Sequence, residues 1–152
     1  MLKTIQRIDG PAFSAFQAVS QTINSAAFTK LTFDTEEFDT NSNFSTALSR
    51  FQPTVAGYYQ VNAQVAFNAL ISTTNIIALF KNGSEYKRGN RLQASGNNTY
   101  LLVSSLLYMN GSTDYLEVFA FQNSAGAVSL EISSGLIANV NTYFNGSFVR
   151  LP

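Results

Sequence analysis

In 152 residues the chain has no cysteine, no histidine and no tryptophan, and only three prolines and two methionines. Without cysteine no disulfide staples the fold, and no thiol serves as nucleophile or metal ligand. Without histidine the side chain that titrates near neutral pH is missing, and with it the Ser-His and Cys-His nucleophile pairs and the common zinc sites. Charge is scarce too: 12% of residues are Asp, Glu, Lys or Arg, roughly half the usual share. Nine basic residues balance nine acidic ones, and phosphate binding needs a basic excess on one face, so no nucleic-acid partner is expected. No run of about 20 apolar residues exists, so no membrane insertion by a helix is expected. Residues 1–10 lack the apolar stretch and cleavage site of a secretory signal and read as a lead-in. With no repeat, linker or charge block beyond them, residues 11–152 read as one domain.

What is present is apolar and strand-patterned. Apolar residues are 45% of the chain, enough for a domain of this size to bury a core without a staple. Tyr59, Val61, Ala63, Val65 and Phe67 alternate with Tyr58, Gln60, Asn62, Gln64 and Ala66, an apolar face against a polar, uncharged one. Thr29 to Asp34 puts Leu31 and Phe33 opposite Thr32 and Asp34, and residues 11–27 read better as strand than as helix. Ile76 to Phe80 leads into a turn at Asn82-Gly83, and further strands are expected over Tyr100–Met109, Tyr115–Phe121, Val128–Ile132 and Asn141–Leu151. Asn110-Gly111, between two apolar runs, is the strongest short-range hairpin signal in the chain. Short strands at near-regular spacing indicate a β-sandwich or barrel. Leu101-Leu102, Leu106-Leu107 and Val118-Phe119 make some strands apolar on both faces. Since one face of an antiparallel sheet normally meets water, this doubling predicts a covering subunit and hence a homo-oligomer.

Candidate chemistry is sparse. Asp34, Glu36, Glu37 and Asp39 cluster, but adjacency along a segment is not opposition across a cleft, as acid/base hydrolysis requires. They read as a solvated acidic loop. Asp39-Thr40-Asn41-Ser42-Asn43-Phe44-Ser45 follows the first ligand positions of a calcium loop, then has Phe44 where glycine is needed and Arg50 where the bidentate glutamate belongs. No cofactor is expected beyond a weakly held calcium ion, and an Asx-rich turn satisfying its own backbone explains the same residues. Lys81, Lys87, Arg88 and Arg91 fall within eleven positions around a hairpin, with Tyr86, Asn90, Gln93, Asn97 and Asn98 nearby. Lys87, Arg88, Arg91, Asn97 and Asn98 are therefore candidate ligands for sulfate, phosphate or sugar hydroxyls. The alternative is a charged loop that guards a sheet edge against aggregation.

Several segments resemble, in order, the C1q/tumour-necrosis-factor-like family. Pro11-Ala12-Phe13-Ser14-Ala15 resembles its first strand, and Phe38-Asp39-Thr40 its aromatic-Asp-Thr turn. Phe51…Gly57-Tyr58-Tyr59 resembles its Phe…Gly-x-Tyr approach to the central strand, and Ala78-Leu79-Phe80-Lys81-Asn82-Gly83 its apolar-x-Lys-Asn-Gly hairpin. Leu107…Gly111…Asp114-Tyr115-Leu116-Glu117-Val118 is similar to its Leu-x-x-Gly-Asp-x-Val strand pair. Ser45 to Arg50 has the look of an insertion, and Phe144 and Phe148 stand four apart where the family has three, which suggests a bulge. The resemblance implies an all-β, ten-stranded jelly-roll sandwich that forms a homotrimer. It also implies an interface built from Tyr58, Gln60, Asn62, Tyr115, Phe119 and Tyr143. With no collagen-like stalk and an Asn/Ser/Thr-rich, Cys-free style, the chain is similar to heads of phage fibres and bacterial surface proteins. The implied role is a non-enzymatic head of a viral or phage structural protein that binds a host-surface carbohydrate or protein. Its expected place is the virion surface, or alternatively the extracellular space or a bacterial surface. A purely structural trimerisation cap or capsid decoration is the alternative function.

Overall fold

The computed structural model describes residues 9–68, 71–95, 98–132 and 140–152; the lead-in up to residue 8 and Asn97 lie outside them. Among the described residues there are strands and no helix. The strands are β1 (Ala12–Phe16), β2 (Thr22–Ile23), β3 (Thr29–Lys30), β4 (Thr35–Asp39), β5 (Phe44–Ser45), β6 (Arg50–Phe51), β7 (Gly57–Phe67), β8 (Ile71–Lys81), β9 (Ser84–Ser95), β10 (Thr99–Met109), β11 (Leu116–Gln122), β12 (Val128–Ser129) and β13 (Tyr143–Arg150). They form a five-stranded sheet in the order β10-β7-β13-β1-β4 and a second sheet in the order β5-β6-β11-β8-β9, where β3 also pairs with β11. β12 and β2 make a small separate ribbon.

The period-2 pattern of β7 is realised residue by residue: Tyr59, Val61, Ala63, Val65 and Phe67 are fully buried between the sheets. β10 contributes Leu101, Val103, Leu107 and Met109 to the same core, and the second sheet contributes Ile77, Leu79, Leu116, Val118 and Ala120. An aromatic cluster fills one end. The ring of Phe13 lies 4.2 Å from that of Phe51, 5.1 Å from Phe44 and, edge-on, 4.9 Å from Phe144. The last strand carries the irregularity its phenylalanine spacing suggested, with a register shift between Phe148 and Arg150 along β7.

Two expectations about strand partners differ from the structure. Asn110-Gly111 is not a hairpin: β10 belongs to the first sheet and β11 to the second, so residues 110–115 cross between sheets. The Asn110 side chain gathers the crossing by accepting from the backbone N–H groups of Ser112, Thr113 and Asp114 at 3.0, 3.0 and 2.9 Å. An Asn-Gly pair asks only for a tight local turn, and the strands beyond it go where their faces are buried. Asn82-Gly83 is the true hairpin turn, with φ of 55° and 79° between the paired β8 and β9.

The doubled apolar run of β11 also needs no second subunit. The outer side of β11 is covered within the chain, where Phe80 stacks on Phe119 at 3.9 Å and Phe28 reaches both Phe80 and Phe121 at 5.5 Å. The doubled run of β10 has no such cover among the described residues. Tyr100, Leu102, Leu106 and Tyr108 are 43%, 43%, 51% and 39% exposed.

Candidate functional site

The register of the five-stranded sheet assembles one continuous outer face. Across β10 and β7, Tyr108 pairs with Tyr58, Leu106 with Gln60, Ser104 with Asn62 and Leu102 with Gln64. Across β7 and β13, Asn145 pairs with Asn62 and Tyr143 with Gln64. Polar groups in the middle satisfy one another. Gln60 Nε2 donates to Ser104 Oγ (2.9 Å), Ser104 Oγ donates to Asn62 Oδ1 (2.8 Å) and Asn62 Nδ2 donates to Asn145 Oδ1 (3.2 Å). Around this network lie Leu102, Leu106 and the edge-to-face pair Tyr58–Tyr108, with ring centres 5.7 Å apart. A trough of about 290 Å³ runs beside it between Phe38 and Gln60, and Phe38 is half exposed. This surface combines exposed aromatic and aliphatic groups with prearranged amides, the composition of a protein–protein interface centre.

Of the six interface candidates, the structure brings Tyr58, Gln60, Asn62 and Tyr143 to that face. Phe119 lies on the outer side of the other sheet, in contact with Phe80. Tyr115 lies next to β11 of the second sheet, its ring 3.6 Å beneath the Arg50 guanidinium. Sequence reading left out Leu102, Leu106 and Tyr108 as members of the face. Their signal was the unbroken apolar run of β10, which cannot all point inward.

Of the ligand candidates, Lys87, Arg88 and Arg91 lie on β9 and Asn98 just before β10, and two of the three charges are committed. Lys87 Nζ donates to Ser105 Oγ at 2.8 Å, pinning β9 against β10. Arg88 forms a two-pronged ion pair with Glu85, which holds the Glu85 carboxyl below its usual range, and its guanidinium lies 5.7 Å from the Phe28 ring. Arg91 is exposed on β9. Asn98 donates to Glu131 at 2.5 Å, a partner it shares with Tyr100. At the hairpin end, Lys81 bridges to Asp114 at 2.8 Å. Burial pushes Asp114 up, but the Asn82 amide, Lys81 and the Asn110 N–H outweigh it and leave the carboxyl below its ordinary range.

The acidic segment is not a loop: Glu36, Glu37 and Asp39 lie on β4, at the edge of the five-stranded sheet, and only the turn after it folds back on its own backbone. Asp39 accepts from the N–H groups of Asn41 (3.2 Å) and Phe44 (2.6 Å), as the Asx-turn reading anticipated. Among the described residues no three acidic side chains gather as metal ligands.

A charged cluster that the sequence did not announce lies at the β5–β6 end of the second sheet. Glu117, its side chain 6% exposed, receives Arg50 at 2.9 Å and Lys30 at 3.2 Å. Arg50 uses both Nε and Nη2 on one carboxylate oxygen. A nearly buried carboxylate requires such partners, because leaving its charge unpaired away from water is costly. Arg50 had been notable only as a misfit in a calcium loop. Its partner on the neighbouring strand stands 67 residues away in sequence.

Comparison with known proteins agrees with this architecture. No family model matches the sequence, and no curated protein matches it significantly. Among solved structures, the globular domain of zebrafish complement 1qA protein is similar with a TM-score of 0.67 and 14% identity, covering 95% of this chain and 100% of that one. Murine APRIL is similar with a TM-score of 0.65 and 10% identity, covering 93% and 100%. The Eiger TNF of S. frugiperda is similar with a TM-score of 0.61 and 10% identity, covering 93% of each. The chain has a C1q/TNF-like jelly-roll fold, and at these identities the likeness is one of fold.

Proposed function

We propose that this chain is the non-enzymatic, homotrimeric head of a viral or phage structural protein and holds a host-surface glycan at the virion surface. The observation that carries the trimer is the outer face of the five-stranded sheet. It presents Tyr100, Leu102, Leu106 and Tyr108 uncovered beside a completed amide network, whereas the equivalent side of the second sheet is closed by Phe28 and Phe80. Exposed apolar groups clustered on one strand mark an interaction surface, and a C1q/TNF-like fold is compatible with a homotrimer. The low-charge, Asn/Ser/Thr-rich surface without cysteine supports the viral or phage setting and a glycan partner, since amides and hydroxyls match sugar hydroxyls.

Light scattering of the purified chain at micromolar concentration should give three times the mass of one chain, and a glycan array should give saturable binding. A monodisperse monomer sinks the trimer. A trimer that binds no glycan and adsorbs to no host cell leaves the purely structural cap, which uses the same sheet face and needs no ligand.

A further inference from the structure

We propose that the cleft at the β5–β6 end of the sandwich is the place where a sugar residue bearing a single negative charge is held, with Arg50 as its anchor. The inference rests on the glycan-binding reading above and names the site and the ligand class. The cleft measures about 280 Å³ and is lined by Arg50 together with Ser42, Asn43, Ser45, Leu48, Gln52 and Ser112. That size stands at the small end of ligand sites, about 300–1,000 Å³, and suits one sugar ring.

The charged side chain in the lining of the cleft is the Arg50 cation, which favours an anion, and its partners lie outside that lining. Two cations, Lys30 and Arg50, meet one carboxylate, Glu117, so one positive charge is left over. Arg50 is also the better presented of the two for directional recognition. Its Nε and Nη2 are spent on Glu117, and its plane is fixed 3.6 Å over the Tyr115 ring. Nη1 makes no hydrogen bond among the described residues, and the Arg50 side chain remains 25% exposed. A guanidinium locked on two sides loses little freedom when it binds a carboxylate or sulfate oxygen.

The other lining groups complete a sugar site. Gln52 is held by its Nε2 on the Ser112 carbonyl at 3.0 Å, leaving its Oε1 to accept from a hydroxyl. Leu48, 51% exposed, offers an apolar patch for the C–H face of a ring. By contrast, Lys87 and Arg88 on the β9 hairpin are already engaged within the protein.

The test is a titration of the isotope-labelled chain, followed by amide NMR shifts, with methyl glucuronide, glucose 6-sulfate and methyl glucoside. The two charged sugars should shift amides of residues 42–54 and 110–117, and the neutral one should bind about tenfold more weakly or worse, as expected for a lost charge-assisted hydrogen bond. Arg50→Gln should weaken the charged sugars by a similar factor. Because that change also alters the partners of Glu117, Gln52→Trp serves as a second variant, plugging the cleft while leaving Arg50, Lys30 and Glu117 untouched. It should abolish binding with an unchanged melting temperature, whereas Arg88→Glu with Arg91→Glu should change nothing. Equal binding of the neutral sugar overturns the ligand class. Shifts confined to another surface, or full binding by both cleft variants, overturn the site. If an array shows glycan binding but the three sugars leave the cleft unmoved, the site falls and the glycan reading stands. If no glycan binds the array at all, both fall.

Discussion

At the residue scale, most of this protein's few charges are arranged as partners. Glu117 illustrates the consequence. Glu117→Gln keeps the shape of the side chain but removes the charge under Arg50 and Lys30, and should cost about 1.5–3 kcal/mol, read as a lower urea midpoint at constant slope. An unchanged midpoint would mean that the two pairs behave like ordinary surface ion pairs. Asp114 and Asp34 make a prediction about acid. Burial raises Asp34, but the N–H groups of Ala18 and Val19 and the Thr35 hydroxyl prevail, so both carboxyls titrate below their unfolded value of 3.8. A group whose folded pKa is depressed contributes stability that is present above the unfolded pKa and is lost as pH falls through the folded one. Unfolding free energy should therefore decline as the pH drops below about 4, and Asp114→Asn should make that decline shallower. An identical acid profile in the variant would assign the acid sensitivity elsewhere. Tyr59 is the alkaline counterpart. Burial pushes its hydroxyl up to about 12, and it donates to the Val55 carbonyl at 2.7 Å, so it stays protonated throughout the physiological range.

At the element scale, two Asn-Gly pairs with the same local chemistry have different fates. Asn82-Gly83 closes β8 onto β9, and Asn110-Gly111 sends the chain from one sheet to the other. The outcome is settled by which sheet buries the following strand, a matter of contacts far along the chain. The hairpin of β8 and β9 then folds over the edge of β10. Asn90 Oδ1 accepts from the Leu102 N–H at 3.2 Å, and a Cβ on Gly89 would stand 2.3 Å from the Leu102 carbonyl oxygen. This contact covers an edge that would otherwise invite pairing with another chain. Gly89→Ala should force β9 away from β10, lowering the melting temperature and speeding amide exchange in Leu102 and its neighbours. Retention of both properties would show that the backbone there yields easily.

At the scale of the whole molecule, the sandwich is unequal on its two outer sides. On one side phenylalanines of the same chain pack over β11, while the other presents leucines and tyrosines around an amide network. If that face joins three copies, melting temperature should rise with protein concentration, because association stabilises only the folded state. Leu102→Glu with Leu106→Glu should yield a folded monomer, seen as one-third of the mass by light scattering with an unchanged far-ultraviolet spectrum. A double variant that stays trimeric places the interface elsewhere.

The sequence by itself determined the long strands β7, β10, β11 and β13 and the inward face of β7, because the two-residue period of a strand is a local property that needs only a buried side and a wet one; β4 and β9, rich in charge and without that alternation, read as loops and are strands. It also determined the true Asn82-Gly83 turn, the bulge in β13 and, through motifs in order, the C1q/TNF-like jelly roll. Only the tertiary structure decided which doubled apolar strand is left uncovered, since Phe28 packs over β11 from about 90 residues away and among the described residues nothing closes over the outer side of β10. It likewise decided that Tyr115 and Phe119 stand apart from Tyr58, and that Arg50, Lys30 and Glu117 meet. Such contacts depend on strand order and on which sheet each strand joins, and residues distant along the chain carry no local signal of being neighbours in space.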